Sequence, residues 1–96
     1  MLVISRKEGS SFTVGTFTVK VADLRSNMAF LDIRDSDSLA KTKIGFRPGD
    51  ELPLNEEQTI VLKVLNTSGR QVSVGVQAPK DVDILRDDAK RETRNA

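Results

Sequence analysis

Residues 59–76 read TIVLKVLNTSGRQVSVGV, and they carry the clearest structural signal in the chain. Apolar side chains alternate with other residues on both sides of a turn at residues 66–69. The alternating apolar residues are Ile60, Leu62, Val64, Val72, Val74 and Val76. A period of two is typical of β-strands that bury one face, and Ser-Gly favours a tight turn. The stretch therefore predicts a β-hairpin.

The same plan occurs once before, about 40 residues earlier in the chain. Residues 17–21 and 29–33 alternate around a turn at residues 24–27. Each hairpin follows a glycine-containing segment, RKEGSSF at residues 6–12 and FRPGDEL at residues 46–52. A recurrence in fixed order suggests one small β unit used twice. We predict a single domain, residues 1–96, with repeat one at 1–35, a linker at 36–42 and repeat two at 43–96.

The rest of the chain adds short strands and one helix to this prediction. Residues 2–7 form an apolar run typical of a strand, strand character resumes near Ile44 after a polar loop, and Pro53 keeps its strand short or at an edge. Residues 82–84 predict a last short strand. Residues 85–94 have few β-formers and predict a short helix. The predicted fold class is all-β with a short C-terminal helix.

Composition limits the possible functions. The 96 residues contain neither cysteine nor histidine, so thiolate metal sites and the commonest general base are both missing. The absence of cysteine fits a reducing cytoplasm, and no apolar run resembles a signal peptide or membrane span. No nucleophile–base pair, P-loop or metal-ligand spacing is present. We therefore predict a cytoplasmic protein that is not an enzyme, with no catalytic residues, cofactor, metal, membrane partner or small-molecule substrate. Fifteen basic against fourteen acidic residues give a net charge of +1, so a basic surface for nucleic acid has to be local.

Two segments resemble one known family. Residues 1–9, MLVISRKEG, are similar to the N-terminus of the CsrA/RsmA carbon storage regulators. Residues 69–82, GRQVSVGVQAPKDV, followed by Ile84 and Arg86, resemble the family's last two strands more specifically. From Arg47 onward the resemblance is almost continuous. Repeat one looks like the family's first four strands, and repeat two looks like all five strands and the helix.

The resemblance implies a fold and a function. Members form obligate dimers of interleaved five-stranded units, in which the first strand of one subunit lies beside the last strand of the other. Each junction binds a GGA triplet in an RNA loop, commonly near a ribosome-binding site, and blocks translation. The implied partners are mRNA leaders and small regulatory RNAs. The site residues carried over from the resemblance are Leu2, Ile4, Ser5, Arg6, Lys7, Gln77, Ala78, Pro79, Lys80, Val82, Ile84 and Arg86.

The two repeats depart from the family in different places. Repeat two has Phe46 where repeat one has Arg6, and repeat one lacks the fifth strand. The intact first strand is thus in repeat one, and the intact last strand is in repeat two. We predict a single-chain pseudo-dimer with one RNA site and one erased site. The alternative is a homodimer in which each chain carries an inserted segment, with two sites per assembly.

Simpler interpretations apply to each residue taken alone. Arg6 and Lys7 are ordinary solvated cations at a strand end, and Arg86 is an ordinary surface residue at a helix start. The aromatic residues at 12, 17 and 30 are predicted to be core rather than base-stacking platforms. A second function also stays open: a protein-interaction module or an antagonist of a full-length regulator, with weak or no RNA binding. Retention of Arg6 together with Arg86 favours RNA.

Overall fold

The computed structural model describes residues 1–38, 41–68 and 70–86. Its described residues form strands and no helix, which confirms the all-β prediction. None of them forms a helix long and apolar enough to cross a membrane. The strands are β1 (Leu2–Lys7), β2 (Ser11–Val14), β3 (Phe17–Arg25), β4 (Met28–Asp35), β5 (Lys41–Phe46), β6 (Glu51–Pro53), β7 (Val61–Ser68), β8 (Gln71–Gln77) and β9 (Ile84–Arg86).

The strands form two antiparallel sheets that interleave the two halves of the chain. The four-stranded sheet has the order β1-β8-β7-β6, and the five-stranded sheet has the order β5-β4-β3-β2-β9. β1 therefore joins the hairpin of the second half, and β5 joins the hairpin of the first half. β9, from the end of the described chain, pairs with β2 near its beginning. The interleaved arrangement predicted for the fold is thus formed within one chain.

Residue pairs match between the two sheets. Ile4 lies opposite Val74 in the first sheet, and Ile44 lies opposite Leu31 in the second. The β3–β4 ladder shifts register after Val21, and the β7–β8 ladder shifts at the equivalent Val64. Strands β1–β4 are therefore equivalent to β5–β8, position by position. β9 has no equivalent among the described residues.

The core lies between the two sheets and follows the alternation of the sequence. No polar or charged residue is buried among the residues described. The buried hydrophobic residues are Ile4, Phe12, Val14, Val19, Val21, Ala29, Leu31, Ile33, Phe46, Ile60, Leu62, Val64, Val72, Val74, Val76 and Ile84. Phe12 is confirmed as core, and Phe17 packs at the margin of the core. The prediction for Phe30 is wrong: Ala29 and Leu31 face inward, so Phe30 lies on the outer face, where the Arg25 guanidinium is 6.0 Å from its ring centroid.

Three predicted boundaries differ from the structure. The last strand, predicted over residues 82–84, is Ile84–Arg86, and the Val82 N–H instead donates to the Pro79 carbonyl in a turn. The helix predicted over residues 85–94 does not begin at Leu85, because Leu85 and Arg86 belong to β9 and pair with Thr13 and Phe12. The remainder of that prediction, residues 87–94, lies outside the described residues. β5 begins at Lys41, ahead of the expected start near Ile44. The sequence did not indicate this start, because polar residues occupy the first three positions of the strand. Cross-strand pairing overrides local propensity in the last two cases.

Candidate functional site

Strands β1 and β9 form neighbouring edges on one side of the molecule. Each is the outermost strand of its sheet among the described residues. A turn at residues 8–10 joins β1 directly to β2, and the Gly9 N–H donates to the Val21 carbonyl at 2.8 Å. Gly9 has a φ of 89°, which explains why glycine occupies this turn. Because β2 pairs with β9, the turn brings the first and last described strands to the same edge of the sandwich.

Arg6 and Arg86 lie at the same end of these two edges. Arg6 is on the core-facing side of β1, opposite the buried Val72, and it comes two residues before the turn. Arg86 lies opposite the buried Phe12, which comes two residues after the turn. Both arginines therefore start from inward-facing positions near the Glu8–Ser10 turn, one on each sheet. Arg6 is half-buried and Arg86 is exposed.

Apolar residues line the space behind the two arginines. Ile4 and Ile84 are 2% and 1% exposed, and both belong to the core. Leu2 and Val82 are partly buried and pack against that core. A Cβ placed at Gly15 would lie 3.3 Å from Val82 Cγ1, so β2 and the segment before β9 approach closely there. The site thus has an apolar floor with Arg6 and Arg86 at one end.

Ser5 and Lys7 face away from this floor. Ser5 lies opposite Ser73 on the outer face of the four-stranded sheet, where their hydroxyl oxygens are 3.2 Å apart. Lys7 is exposed on the same outer face and lines a shallow depression of about 450 Å³ with Glu8, Leu24 and Arg70. The structure therefore divides the predicted first-strand residues between two faces. Side chains alternate along β1, so an inward Ile4 already predicts that Ser5 and Lys7 face outward. The sequence prediction did not use this alternation.

The Ala-Pro loop lies at the far end of β1 from Arg6. Leu2 pairs with Val76 at the end of β8, so residues 77–80 come next to the beginning of β1. The Val82 N–H donates to the Pro79 carbonyl at 3.1 Å, and the Gly15 N–H donates to the Asp83 carbonyl at 2.9 Å. Ala78 is half-buried, and its neighbours Gln77, Pro79 and Lys80 are exposed. A six-residue strand is about 17 Å long, so the site is an elongated ledge with a cation at each end.

The equivalent edge in the other half is built differently. Phe46 occupies the position of Arg6 and is 2% exposed, opposite the small Ala29. No described strand lies outside β6, the equivalent of β2. A groove of about 280 Å³ runs between β5 and β6 instead. The groove is lined by Phe17, Ile33, Asp35, Ser38, Thr42, Ile44, Leu52, Pro53 and Leu54.

Pro53 changes the open edge of β6. The Leu54 N–H donates to the Ile60 carbonyl and the Asp50 carbonyl accepts from Val64, so alternate residues of β6 face β7. Position 53 has the opposite parity, and its backbone nitrogen faces outward. Proline has no N–H to donate there, whereas the equivalent Thr13 does. The prediction that Pro53 lies in a short edge strand is confirmed. The missing N–H also makes this edge less able to pair with another strand.

Fold and site together define a small all-β protein in which interleaved sheets bring the first and last strands to one edge. A family model described as CsrA, a global regulator protein family, matches residues 44–95, more than half of the chain. The chain belongs to this family, whose members are RNA-binding post-transcriptional regulators. No curated protein and no solved structure gives a significant match.

Proposed function

We propose that this chain binds a GGA-containing RNA loop at the edge formed by β1 and β9, and that it regulates translation or stability of the mRNA by occupying its leader. The observation that supports this most directly is the position of Arg6 and Arg86. Both arise from core-facing positions beside the same turn, one on each sheet. The chain thereby supplies both sides of one site.

The chemistry of the edge suits a looped-out nucleotide. Sequence-specific RNA recognition takes unstacked bases from loops and hydrogen-bonds their edges. A guanidinium provides paired N–H donors for a guanine edge or a phosphate, where an ammonium is only a point charge. Edge strands add backbone donors and acceptors along the ledge. Leu2 and Val82, which pack on the buried Ile4 and Ile84 and stay partly exposed, supply the apolar surface on which a base can rest.

A single site per chain follows from the second half of the molecule. The cation of the first site is replaced there by buried Phe46, and no described strand takes the place of β9 beside β6. Native mass spectrometry with a GGA hairpin reports chains and RNAs together. We expect one chain of 10.6 kDa and one RNA. Twice that protein mass with two RNAs contradicts the single-chain arrangement and favours a homodimer.

Arg86→Ala tests the proposed site. Hydrogen bonds to charged groups contribute about 1.5–3 kcal/mol, so the dissociation constant for a GGA hairpin rises roughly 10- to 150-fold. Arg47→Ala is the matched control, because Arg47 is an exposed arginine at the second edge. A gel shift with GGA and CCA hairpins measures both effects. Unchanged affinity in Arg86→Ala, or equal binding of the CCA hairpin, contradicts the assignment.

The groove between β5 and β6 favours one second candidate, a protein-interaction module that antagonises a full-length family member. In the other half, Ile84 of β9 lies at the equivalent position and is buried. The groove therefore has the shape left by an absent fifth strand. A chain that binds a full-length regulator and fails to shift the GGA hairpin supports this candidate over RNA binding.

A further inference from the structure

Four cations cluster on the outer face of the five-stranded sheet, far from the core. Lys20 of β3 lies between the buried Val19 and Val21, so its side chain faces outward. The same parity applies to β4 and β5, where Leu31, Ile33 and Phe46 are buried. We call this set the basic face: Lys20, Arg34, Lys41 and Lys43, all exposed.

The cross-strand register makes the basic face unusual. Arg34 lies directly opposite Lys41, a like-charge pair of the kind that destabilises a sheet. Lys20 and Lys43 both lie opposite Asp32, which is the single acid among them. None of the four cations forms an ion pair with a described residue. A local arrangement that opposes stability indicates a functional requirement, here for an anion.

The other sheet provides an internal comparison. The positions equivalent to the basic face hold Lys63, Gln77, Met1 and Val3, and Gly75 takes the place of Asp32. Only Lys63 has a charged side chain, and its ammonium lies 3.8 Å from the Glu51 carboxylate. The basic face is therefore a property of one sheet and not of the repeated unit.

The basic face continues from the proposed RNA site. β9 is an edge strand of the same sheet, and adjacent strands lie about 4.8 Å apart, so the sheet is about 19 Å wide from β9 to β5. Between them, Ser11, Thr18, Lys20, Asp32 and Arg34 line a shallow depression of about 220 Å³. Hydroxyls and cations are the side chains that contact phosphates. The depression has no apolar anchor of the kind that protein interfaces use.

We infer that the basic face binds the phosphate backbone of the RNA segment that flanks the loop held at the β1–β9 edge. This inference rests on the proposed function and extends it. The loop is recognised at the edge, and the flanking strand crosses β2 to reach Lys20 and Arg34. Lys41 and Lys43 extend the contact to the far edge. The contribution to binding is electrostatic and independent of sequence.

Two RNAs separate the basic face from the loop site. One is a GGA hairpin, and the other is the same hairpin with a single-stranded tail of about ten nucleotides, long enough to cross the sheet from β9 to β5. The test variant is Arg34→Gln/Lys41→Gln. The charge-matched control is Arg47→Gln/Lys63→Gln, which removes two cations elsewhere. Fluorescence anisotropy between 50 and 200 mM salt measures the affinities.

The tailed RNA is expected to lose two phosphate contacts in the test variant. Each contact contributes about 0.7 to the logarithmic salt slope for single strands, so the slope becomes shallower by about 1.4. The wild-type affinity then falls about 7-fold more than that of the variant over this salt range. Affinity for the hairpin without a tail stays unchanged, and thermal stability does not fall, because the variant removes a like-charge cross-strand pair.

Three results overturn the inference. Equal slopes for the test and control variants, while Arg86→Ala still weakens hairpin binding, refute the basic face and leave the proposed function intact. An equal loss on both RNAs assigns the cations to the loop site. Competition by poly-glutamate as strong as by the tailed RNA, at equal charge, assigns the face to acidic proteins. Absence of hairpin binding by the wild type refutes the proposed function itself.

Discussion

Ile4 and Ile44 occupy equivalent positions, and their different surroundings give a quantitative test of the fold. Ile4 pairs with Val74 and is 2% exposed, in the half of the molecule that has β9 at its edge. Ile44 pairs with Leu31 and is only half-buried, because it borders the groove that has no fifth strand. The same substitution at both positions therefore compares an edge that has β9 with an edge that has no such strand among the described residues.

The two isoleucine-to-alanine changes are expected to differ by about 2–3 kcal/mol. Ile4→Ala removes three buried carbon groups at about 0.8 kcal/mol each and leaves a cavity, so it costs roughly 3–4 kcal/mol. Ile44→Ala removes groups that are partly exposed and enlarges an existing groove, so it costs about 1 kcal/mol. A domain of this size loses roughly 4–8 °C of Tm per kcal/mol.

Urea and thermal unfolding of the two variants provide the measurement, with an unchanged urea m-value as the sign that the same surface unfolds. The Tm of Ile4→Ala is expected to lie at least about 8 °C below that of Ile44→Ala. Equal losses mean that the groove beside Ile44 is filled in solution, or that β9 does not cover Ile4. Either result refutes the unequal edges on which the single-site proposal depends.

Two further predictions concern the open edge of β6 and the end of β4. Pro53→Thr restores an outward N–H on β6, so that another chain can pair with this edge. The apparent mass of this variant in size-exclusion chromatography is expected to rise above 10.6 kDa as its concentration increases. The control variant, Pro48→Thr in a turn, is expected to keep the mass of the wild type. A monomer at all concentrations contradicts the role given to Pro53. The backbone N–H of Asp37, and then the Thr16 hydroxyl, hold the pKa of Asp35 below its usual value. Asp35 thus stabilises the fold above its ordinary pKa, and this contribution is lost as the pH falls through the lowered folded-state pKa. The unfolding midpoint of Asp35→Asn is expected to vary less with pH in this acidic range than that of the wild type, and parallel profiles refute the assignment.

Regular alternation made most of the strands predictable. The hairpins of β3–β4 and β7–β8 have apolar residues at every second position, and each is closed by a turn of polar residues. The beginning of β5 was missed because Lys41, Thr42 and Lys43 carry no apolar signal. These residues are strand because β4 pairs with them, and pairing of distant segments does not register in local propensity.

The candidate site was harder to predict from the sequence than the strands were. The alternation of β1 fits either sheet, and only the resemblance to a family suggested that β1 lies beside the last strand. The pairing of β1 with β8 was not predicted. Parity along β1 held one further piece of information, since inward Ile4 requires inward Arg6 and outward Ser5. The basic face was hidden for a similar reason, because its four cations are spread over residues 20–43 and only the register of β3, β4 and β5 brings them together.

The replacement of Arg6 by Phe46 explains how the second edge stays folded without a fifth strand. An absent strand removes the burial that Ile84 provides in the other half. Phe46 restores apolar burial at the same edge, and the small Ala29 opposite it makes room for the ring. Burial of a phenyl ring removes about 150–250 Å² from water, which at about 25 cal/mol per Å² stabilises the fold by several kcal/mol. A guanidinium at that position would need an anionic ligand or water to satisfy its donors. The second edge therefore contributes to stability through the residue that replaces the cation of the proposed RNA site, and at the first edge β9 closes the core behind Arg6.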